Sequence, residues 1–191
     1  MRIPLVQDYW IGRTFVHVAD DAPAAALPPG VEFRAMVPRD LEEIAESNDP
    51  QLRRRNAQMG ACIRRFGAWI SGRLVGVCTF AFGEEYHGYY RLQAGEAELA
   101  DIFITSECRG KGAATALIRY GTDAMLRSGF RTLHAKVWHN NTPSTKAFLR
   151  AGWTRQCFFV RVQPVGTSRA IYVQWPLFRR SSPGRAAPGL S

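Results

Sequence analysis

The feature that most constrains the fold is a strand pattern that leads straight into a glycine-rich turn and then a long helix. Residues 96–105 have the character of a strand, the turn contains RGKGAA, and residues 112–128 have the pattern of a helix that Gly129 ends. A strand connected so closely to a helix is typical of proteins in which helices pack on a sheet. We therefore expect neither an all-helical nor an all-strand domain.

The remaining patterns place further elements on both sides of this unit. Their order, βααβββαβαββ, predicts an α/β fold of the α+β type, with a mixed central sheet of about seven strands flanked by about four helices. Asp40 is the expected cap of the first helix, and Gly72-Arg73 the expected hairpin turn. The other expected strands are at 31–37, 68–71, 74–82, 132–137, 153–162 and 170–175.

We expect one folded domain with short extensions, because 191 residues are too few for two ordinary domains. The predicted domain covers residues 31–176. Residues 1–30 form an N-terminal extension and linker with a candidate extra strand at 10–19. Residues 177–191 are expected to be a disordered basic tail.

The composition excludes several classes of protein. The chain has no apolar run long enough to span a membrane, and its N-terminus lacks the features of a signal peptide, so a cytoplasmic protein is expected. The formal net charge is +9, which favours anionic ligands, but no nucleic-acid-reading motif is present. The cysteines are far apart and predict reduced thiols without a metal site. They are Cys62, Cys78, Cys108 and Cys157.

Part of the positive charge is expected on the second helix, which begins at Asp49-Pro50. Leu52, Met59, Ile63 and Phe66 form its rough apolar stripe. Its basic residues form either a solvated face or a surface that meets an acidic acceptor. They are Arg53, Arg54, Arg55, Arg64 and Arg65.

The turn after residue 105 has the chemistry of an anion cradle. Gly110 and Gly112 allow the backbone to approach a phosphate closely, and the first N–H groups of the following helix have no partner within it. Arg109 and Lys111 add positive charge. A pyrophosphate would fit there, although the glycine spacing matches neither the dinucleotide-binding motif nor the Walker A loop.

Two patterns at fixed spacing make the interpretation more specific. The first is Arg109-x-x-Gly112-x-Ala114. In the second, an asparagine precedes a small residue by three positions, an aromatic by seven, and a Gly-aromatic pair by eleven and twelve. That pattern consists of Asn141, Ser144, Phe148, Gly152 and Trp153. Over about residues 31–175, both patterns and the element order resemble the GNAT superfamily of acyl-CoA-dependent N-acyltransferases.

The resemblance implies acetyl-CoA as the acyl donor, and a longer acyl chain stays open. The sequence has no further ligands at metal-binding spacing near His134 and His139, so no metal is expected. The resemblance also implies that the strand before the turn diverges from its neighbour and pairs with the pantetheine amides, while the turn holds the pyrophosphate. The second pattern contacts the donor from the other side. The implied cofactor-binding residues are Ile102, Phe103, Ile104, Arg109, Gly110, Lys111, Gly112, Ala113, Ala114, Thr115, Asn141 and Phe148.

The reaction needs a base, because an amine near neutral pH is mostly ammonium and must lose a proton before it attacks a thioester. The resemblance places Glu98 at the position of a strand glutamate that serves as this base. By the period of two, Asp101 is expected on the opposite face of the strand and Glu96 on the same face. Asp101, Glu96 and Glu84 stay open as alternatives, as does a carboxylate that only pairs with an arginine.

The proton donor for the leaving thiolate is left open. Many GNAT enzymes have a tyrosine where this chain has Phe148, and phenylalanine cannot donate a proton. Solvent, or one of Tyr86, Tyr89 and Tyr90 in the expected loop at 83–95, could replace it. The N–H group of Ile102 is expected to stabilise the oxyanion.

The sequence thus predicts direct acetyl transfer to a primary amine, preferably of a small molecule. A protein N-terminus or lysine is the alternative acceptor, and a non-catalytic acyl-CoA-binding module is the alternative class. The partners implied are acetyl-CoA and an amine, with neither membrane nor nucleic acid. The C-terminal strand makes a homodimer an open expectation.

Overall fold

The computed structural model describes residues 6–18, 29–47, 49–53, 62–83, 86, 92–166 and 171–176, of which 6–10, 172, 175 and 176 are described by backbone alone. Some of the segments discussed above lie outside these residues. They are the predicted basic tail, most of the predicted linker, Arg54, Arg55, Met59, and the part of the predicted loop that contains Glu84, Tyr89 and Tyr90.

The described residues form one eight-stranded sheet and four helices, which confirms the predicted α/β fold. The strands lie in the order β2-β3-β4-β5-β6-β1-β7-β8, and β5 and β6 are a parallel pair within an otherwise antiparallel sheet. In chain order the elements are β1 (Val6–Val18), β2 (Glu32–Ala35), α1 (Pro38–Glu46), α2 (Pro50–Arg53), β3 (Ile63–Ile70), β4 (Arg73–Phe82), β5 (Glu96–Ile104), α3 (Ala113–Arg127), β6 (Thr132–Trp138), α4 (Thr142–Arg150), β7 (Thr154–Pro164) and β8 (Ile171–Pro176).

The candidate extra strand is present as β1, and it lies inside the sheet between β6 and β7. It pairs antiparallel with both neighbours over most of its length. Phe15 on β1 is fully buried, and its ring stacks on that of Phe148 with 5.3 Å between the centroids. The N-terminal strand is therefore an integral part of the core, although it precedes the domain boundary predicted at residue 31.

The second helix is shorter in its described part than predicted, and the residues that were expected to extend it form a strand. Ile63, Arg64, Arg65 and Phe66 all lie on β3. Arg65 is buried on the sheet at 6% exposure, at a position where the alternation of a strand predicts an apolar residue. Because a charged residue occupies this buried position, the sequence of β3 lacks the alternation of apolar and polar residues that predicts a strand. The prediction of five arginines on one helix was therefore wrong.

Two local predictions need small corrections. The β3–β4 turn consists of Ser71 and Gly72, which both have positive φ as a tight hairpin requires, so it lies one residue earlier than predicted. Helix α1 begins at Pro38, and Asp40 lies within its first turn. There the Asp40 carboxylate accepts the N–H of Val37 at 2.7 Å and the guanidinium of Arg34 at 2.6 and 2.8 Å. The hydrogen bonds from Arg34 lower the pKa of Asp40.

The two faces of the sheet differ in character. Helices α3 and α4 cover one face with a large apolar core that includes Phe15, Phe80, Leu117 and Trp153. On the other face, α1 and α2 pack on a smaller apolar cluster. That cluster consists of Ile44, Leu52, Trp69, Leu74, Val77 and Phe103. The rest of this second face carries buried polar side chains, and these form part of the candidate site.

We expect Phe15→Ala to lower the free energy of unfolding by about 3–5 kcal/mol, because it removes a fully buried ring from the contact between β1 and α4. The matched control is Val18→Ala on the same strand, where Val18 is 59% exposed and the loss should stay below about 1 kcal/mol. Urea denaturation of both variants measures the difference. Equal losses would show that β1 does not contribute to the core in this way.

Candidate active site

The candidate site is built around a point where β5 leaves β6. The parallel pairing of these strands ends at Leu99 with Ala135. On the other side of β5, Phe80 pairs with Leu99 and Thr79 with Asp101, so that Ala100 is an extra residue opposite β4. Such a β-bulge bends its strand. The rest of β5 therefore diverges from β6 and presents a strand edge that β6 does not cover.

The bulge also changes which side chains share a face. Residues that pair directly across antiparallel strands lie on the same face of the sheet. Glu98 pairs with Ala81 and Asp101 pairs with Thr79, and residues 79 and 81 share one face. Glu98 and Asp101 therefore lie on the same face. The prediction of opposite faces was wrong, because the extra residue Ala100 breaks the period of two.

The diverging strand, the turn after it and helix α4 enclose a groove of about 600 Å³. Most of the residues predicted to bind the cofactor lie on its wall. These are Ile102, Phe103, Ile104, Arg109, Gly110, Gly112, Ala113, Ala114, Thr115 and Asn141. Residues that are separated by more than thirty positions in sequence are thus brought to one cavity.

Two of the predicted cofactor residues lie elsewhere. Lys111 is exposed on the turn and is not part of the groove wall. Phe148 is 2% exposed and lies in the core, where it stacks on Phe15 and meets the edge of Trp153. The aromatic residue of the second pattern therefore packs in the core of this chain, outside the groove wall, and its contact with the cofactor stays a prediction.

The groove also contains residues that the sequence analysis did not select. Lys146 and Arg150 lie four positions apart on α4, three and seven positions after Pro143, so that all three share one side of the helix, which lines the groove. No sequence signal connects Gln51 of α2 with this cavity. The remaining wall residues that were not predicted to bind the cofactor are Cys108, Ile118, Pro143, Ser144 and Ala147, of which Ser144 belongs to the second pattern.

The turn at the head of α3 has room and charge for an anion. Gly110 and Gly112 have φ of +77° and +84°, and no atom lies within 4 Å of the position where either would carry a Cβ. Helix α3 begins at Ala113, and the N–H groups of its first turn have no acceptor within the helix. Arg109 Nε donates to the carbonyl of Ile104 at 2.9 Å, which anchors its guanidinium beside the groove. These features fit a phosphate group.

The opposite wall of the groove is fixed by β1. His139 donates its N–H to the carbonyl of Ile11 at 2.9 Å, and Arg13 Nη1 donates to the carbonyl of His139 at 2.5 Å. This turn leads to Asn141, whose Oδ1 accepts the N–H of Ser144 at 3.2 Å and caps α4. The N-terminal strand thus determines where the start of α4 meets the groove.

Glu98 lies at the base of the diverging strands and is completely buried. Lys136 lies two residues beyond His134, the partner of Glu98 on β6, and so shares its face. Lys136 Nζ approaches Glu98 Oε1 to 3.0 Å. The pKa of Tyr86 is raised above its usual range, mainly because the phenol is partly buried. The negative charge of Glu98 and a hydrogen bond between the two side chains raise it further. Tyr86 is therefore a neutral phenol near pH 7.

The contacts of Glu98 leave its carboxylate able to accept a further donor. Lys136 and Tyr86 both lie close to it, but a carboxylate has about four lone-pair positions, so two neighbours leave room for another hydrogen-bond donor. A water molecule or a substrate ammonium has the required chemistry.

A second pair of opposite charges lies next to Glu98 on the same face. Arg65 on β3 pairs in register with Thr79, which pairs in turn with Asp101. Burial lowers the pKa of the Arg65 guanidinium, and the negative charge of Asp101 opposes this shift. The face therefore has both acidic and basic groups at a partly enclosed position, as sites for polar ligands commonly do.

The described part of the chain holds neither a cluster of metal ligands nor a membrane-spanning helix. No group of three or more histidine, cysteine, aspartate or glutamate residues there is placed to hold a metal ion. No helix in those segments has the length and apolar character needed to cross a bilayer.

The ion pair between Glu98 and Lys136 can be tested by a double-mutant cycle. Lys136→Met leaves a buried carboxylate without its nearest described cation. We expect it to lower the free energy of unfolding by about 2 kcal/mol, which is less than at a site without solvent, because the Lys136 side chain is 30% exposed. Adding Glu98→Gln should recover most of this loss. Urea denaturation at pH 7 measures each step, and strictly additive losses would contradict the pairing.

Comparison with known proteins supports the architecture. A sequence profile of the Acetyltransferase (GNAT) family matches residues 32–153. Mycothiol acetyltransferase of Corynebacterium glutamicum (strain R) is 32% identical over 75 residues, which are 38% of this chain and 26% of that protein. The match thus spans about a quarter of the length of that curated relative.

Solved structures with the same fold include a GCN5-related N-acetyltransferase from Sphaerobacter thermophilus, with a TM-score of 0.55 and 20% identity. That match covers 84% of this chain and 52% of that one. A second is the aminoglycoside N-acetyltransferase AAC(6')-Iy in complex with CoA, with a TM-score of 0.51, 20% identity, and coverage of 64% of this chain and 91% of that one. Since the family profile matches more than half of the sequence, the chain belongs to the GNAT acetyltransferase family.

Proposed function

We propose that this protein is an acetyl-CoA-dependent N-acetyltransferase that transfers the acetyl group directly to a primary amine. The observation that carries the proposal is that one strand, β5, provides both the groove wall at Ile102, Phe103 and Ile104 and the buried carboxylate of Glu98. A donor bound along the strand edge would end near that carboxylate. Family membership supports the same reaction class.

The groove has complementary groups for the parts of coenzyme A. The uncovered edge of β5 offers backbone N–H and C=O groups to the pantetheine amides, and the turn from Gly110 to Thr115 offers N–H groups to the pyrophosphate. Arg109, Lys146 and Arg150 add positive charge around the phosphates. Acetyl-CoA would supply an activated acyl thioester. We propose that the residues named here hold it in place.

The turn can be tested with Gly112→Ala. A Cβ at positive φ strains the backbone by about 1–2 kcal/mol and displaces the turn, so we expect CoA affinity to fall about tenfold. Gly129→Ala is the matched control, because Gly129 also has positive φ and open space but lies at the other end of α3. Isothermal titration with CoA compares the variants. Equal weakening by both would show that the turn is not the donor site.

We propose that Glu98 accepts the proton of the acceptor ammonium, directly or through a water molecule. With Lys136 and Tyr86 as neighbours, its carboxylate keeps acceptor capacity for this step. The N–H group of Ile102, on the groove wall, is our candidate donor to the oxyanion. Tyr86 carries a phenolic proton close to Glu98 and can return a proton to the departing thiolate, a role that Phe148 in the core cannot fill.

The single experiment that tests this function is acetyl transfer to a library of amines by Glu98→Gln and the parent chain. We expect turnover to fall by about 10²-fold or more while CoA affinity is unchanged, because the substitution removes a base and leaves the groove intact. Glu96→Gln, on the same strand and face, is the control and should keep most of the activity.

Three other outcomes would redirect the proposal. Unchanged turnover by Glu98→Gln would mean that the base lies elsewhere, with Asp101 as the next candidate on that face. Binding of CoA without transfer to any amine would favour a non-catalytic acyl-CoA-binding module. Transfer to peptide N-termini or lysines in preference to small amines would identify a protein acetyltransferase.

We propose a small-molecule amine as the acceptor. The support is that the similar proteins include a mycothiol acetyltransferase and an aminoglycoside N-acetyltransferase, as their names state. We also propose self-association through β8, the last strand in the order of the sheet, where Ile171 and Val173 are exposed apolar residues. The cytoplasm is the compartment we propose for this reaction.

A further inference from the structure

The distribution of lysines in this chain is unusual. Of 25 lysine and arginine residues, only Lys111, Lys136 and Lys146 are lysines. Lys111 is exposed on the turn, and Lys146 is exposed on α4 at the groove wall. Lys136 is 30% exposed on the opposite side of the diverging strands, beside Glu98. A primary amine is thus present next to the carboxylate that we propose as the base.

The position of Lys136 relative to the diverging strands is the second observation. Pairing between β5 and β6 ends at Ala135, so Lys136 is the first residue of β6 beyond the junction. Its Nζ is 3.0 Å from Glu98 Oε1, which is within reach for proton transfer. Its backbone is fixed from the other side, because Lys136 pairs in register with Thr14 of β1. The amine, a proton acceptor and the uncovered edge of β5 therefore meet at one place.

We propose that Lys136 is a self-acetylation site, modified by the acetyl-CoA bound to the same molecule. This inference rests on the proposed function, since it uses the same donor groove and the same base. Among the three lysines, Lys136 alone has a buried carboxylate at ion-pair distance in the described structure. Arginine could not replace it as a nucleophile, because the guanidinium keeps its proton at any ordinary pH.

The step balances without a further reactant. Glu98 takes a proton from the Lys136 ammonium, and the free Nζ attacks the thioester carbonyl carbon. A C–N bond forms and the C–S bond breaks, so that the products are N-acetyllysine, coenzyme A with its thiol, and one released proton. No oxidant, reductant or metal takes part.

The neighbouring charges determine how this modification relates to an acceptor. Besides Glu98, the described titratable groups on this face or against it are Glu96, Asp101, Arg65, His134 and Tyr86. An acceptor ammonium that reaches Glu98 takes the place of the Lys136 ammonium. Self-acetylation therefore proceeds in the absence of an acceptor, and a bound acceptor amine slows it.

The test is to incubate the purified chain with isotopically labelled acetyl-CoA and no acceptor, and to follow each lysine by peptide mass spectrometry. We expect label on Lys136 with a rate that saturates with acetyl-CoA and does not depend on protein concentration. Chemical acetylation of exposed Lys111 and Lys146 should instead be slower and rise linearly with acetyl-CoA. The mass label is a readout independent of acetyl transfer to any acceptor.

Two variants test whether Glu98 and Lys136 have these roles. Glu98→Gln should slow labelling of Lys136 at least about tenfold and leave the rates at Lys111 and Lys146 unchanged. Lys136→Arg should abolish the label at position 136 while preserving the positive charge. A labelling rate for Lys136 no higher than for the exposed lysines, or one that Glu98→Gln does not change, would overturn the inference.

Isothermal titration with CoA separates this inference from the proposed function. If the chain binds CoA and acetylates amines but does not label Lys136, only self-acetylation is overturned. If CoA does not bind, both proposals are overturned. A rate that rises with protein concentration would show transfer between molecules and would contradict modification by the molecule's own donor.

Discussion

The divergence of β5 from β6 is the constraint on which the rest of the site depends. Parallel pairing holds the two strands together as far as Leu99 and Ala135, and the extra residue Ala100 then bends β5 away. Without the bend, β6 would continue to occupy the backbone groups of β5 and no groove could form between them. The same bulge brings Glu98 and Asp101 to one face. One inserted residue thus creates both the strand edge and the carboxylate arrangement beside it.

The N-terminal strand stabilises the other side of this opening. Strand β1 lies between β6 and β7 and supplies Phe15 to the core beneath α4. Through Ile11 and Arg13 it also holds the turn at His139, from which α4 begins. Packing and hydrogen bonding of one strand therefore position the second wall of the groove. A segment far from the glycine-rich turn in sequence contributes as directly to the geometry of the site as the turn itself.

The polar face shows how the fold keeps charged groups inside the molecule. A buried carboxylate is costly unless a cation or hydrogen-bond donors lie near it, and Glu98 has Lys136 and Tyr86 as neighbours. Two neighbours do not occupy every acceptor position of a carboxylate, so Glu98 is stabilised and still able to accept another hydrogen-bond donor. A carboxylate whose acceptor positions were all occupied would be a poor base, and a buried carboxylate without a cation or donor nearby would destabilise the fold.

The sequence by itself determined the class of fold, the order of the elements and the residues of the glycine-rich turn, because these depend on local periodicity and on backbone chemistry that a few residues encode. It also selected most of the groove wall, from Ile102 to Asn141. Only the tertiary structure decided the place of β1 within the sheet, the strand conformation at Arg65, and the burial of Phe148. It alone placed Lys136 beside Glu98 and both carboxylates on one face. These features arise from strand pairing across long separations and from a single bulge, and neither leaves a periodic signal in the sequence.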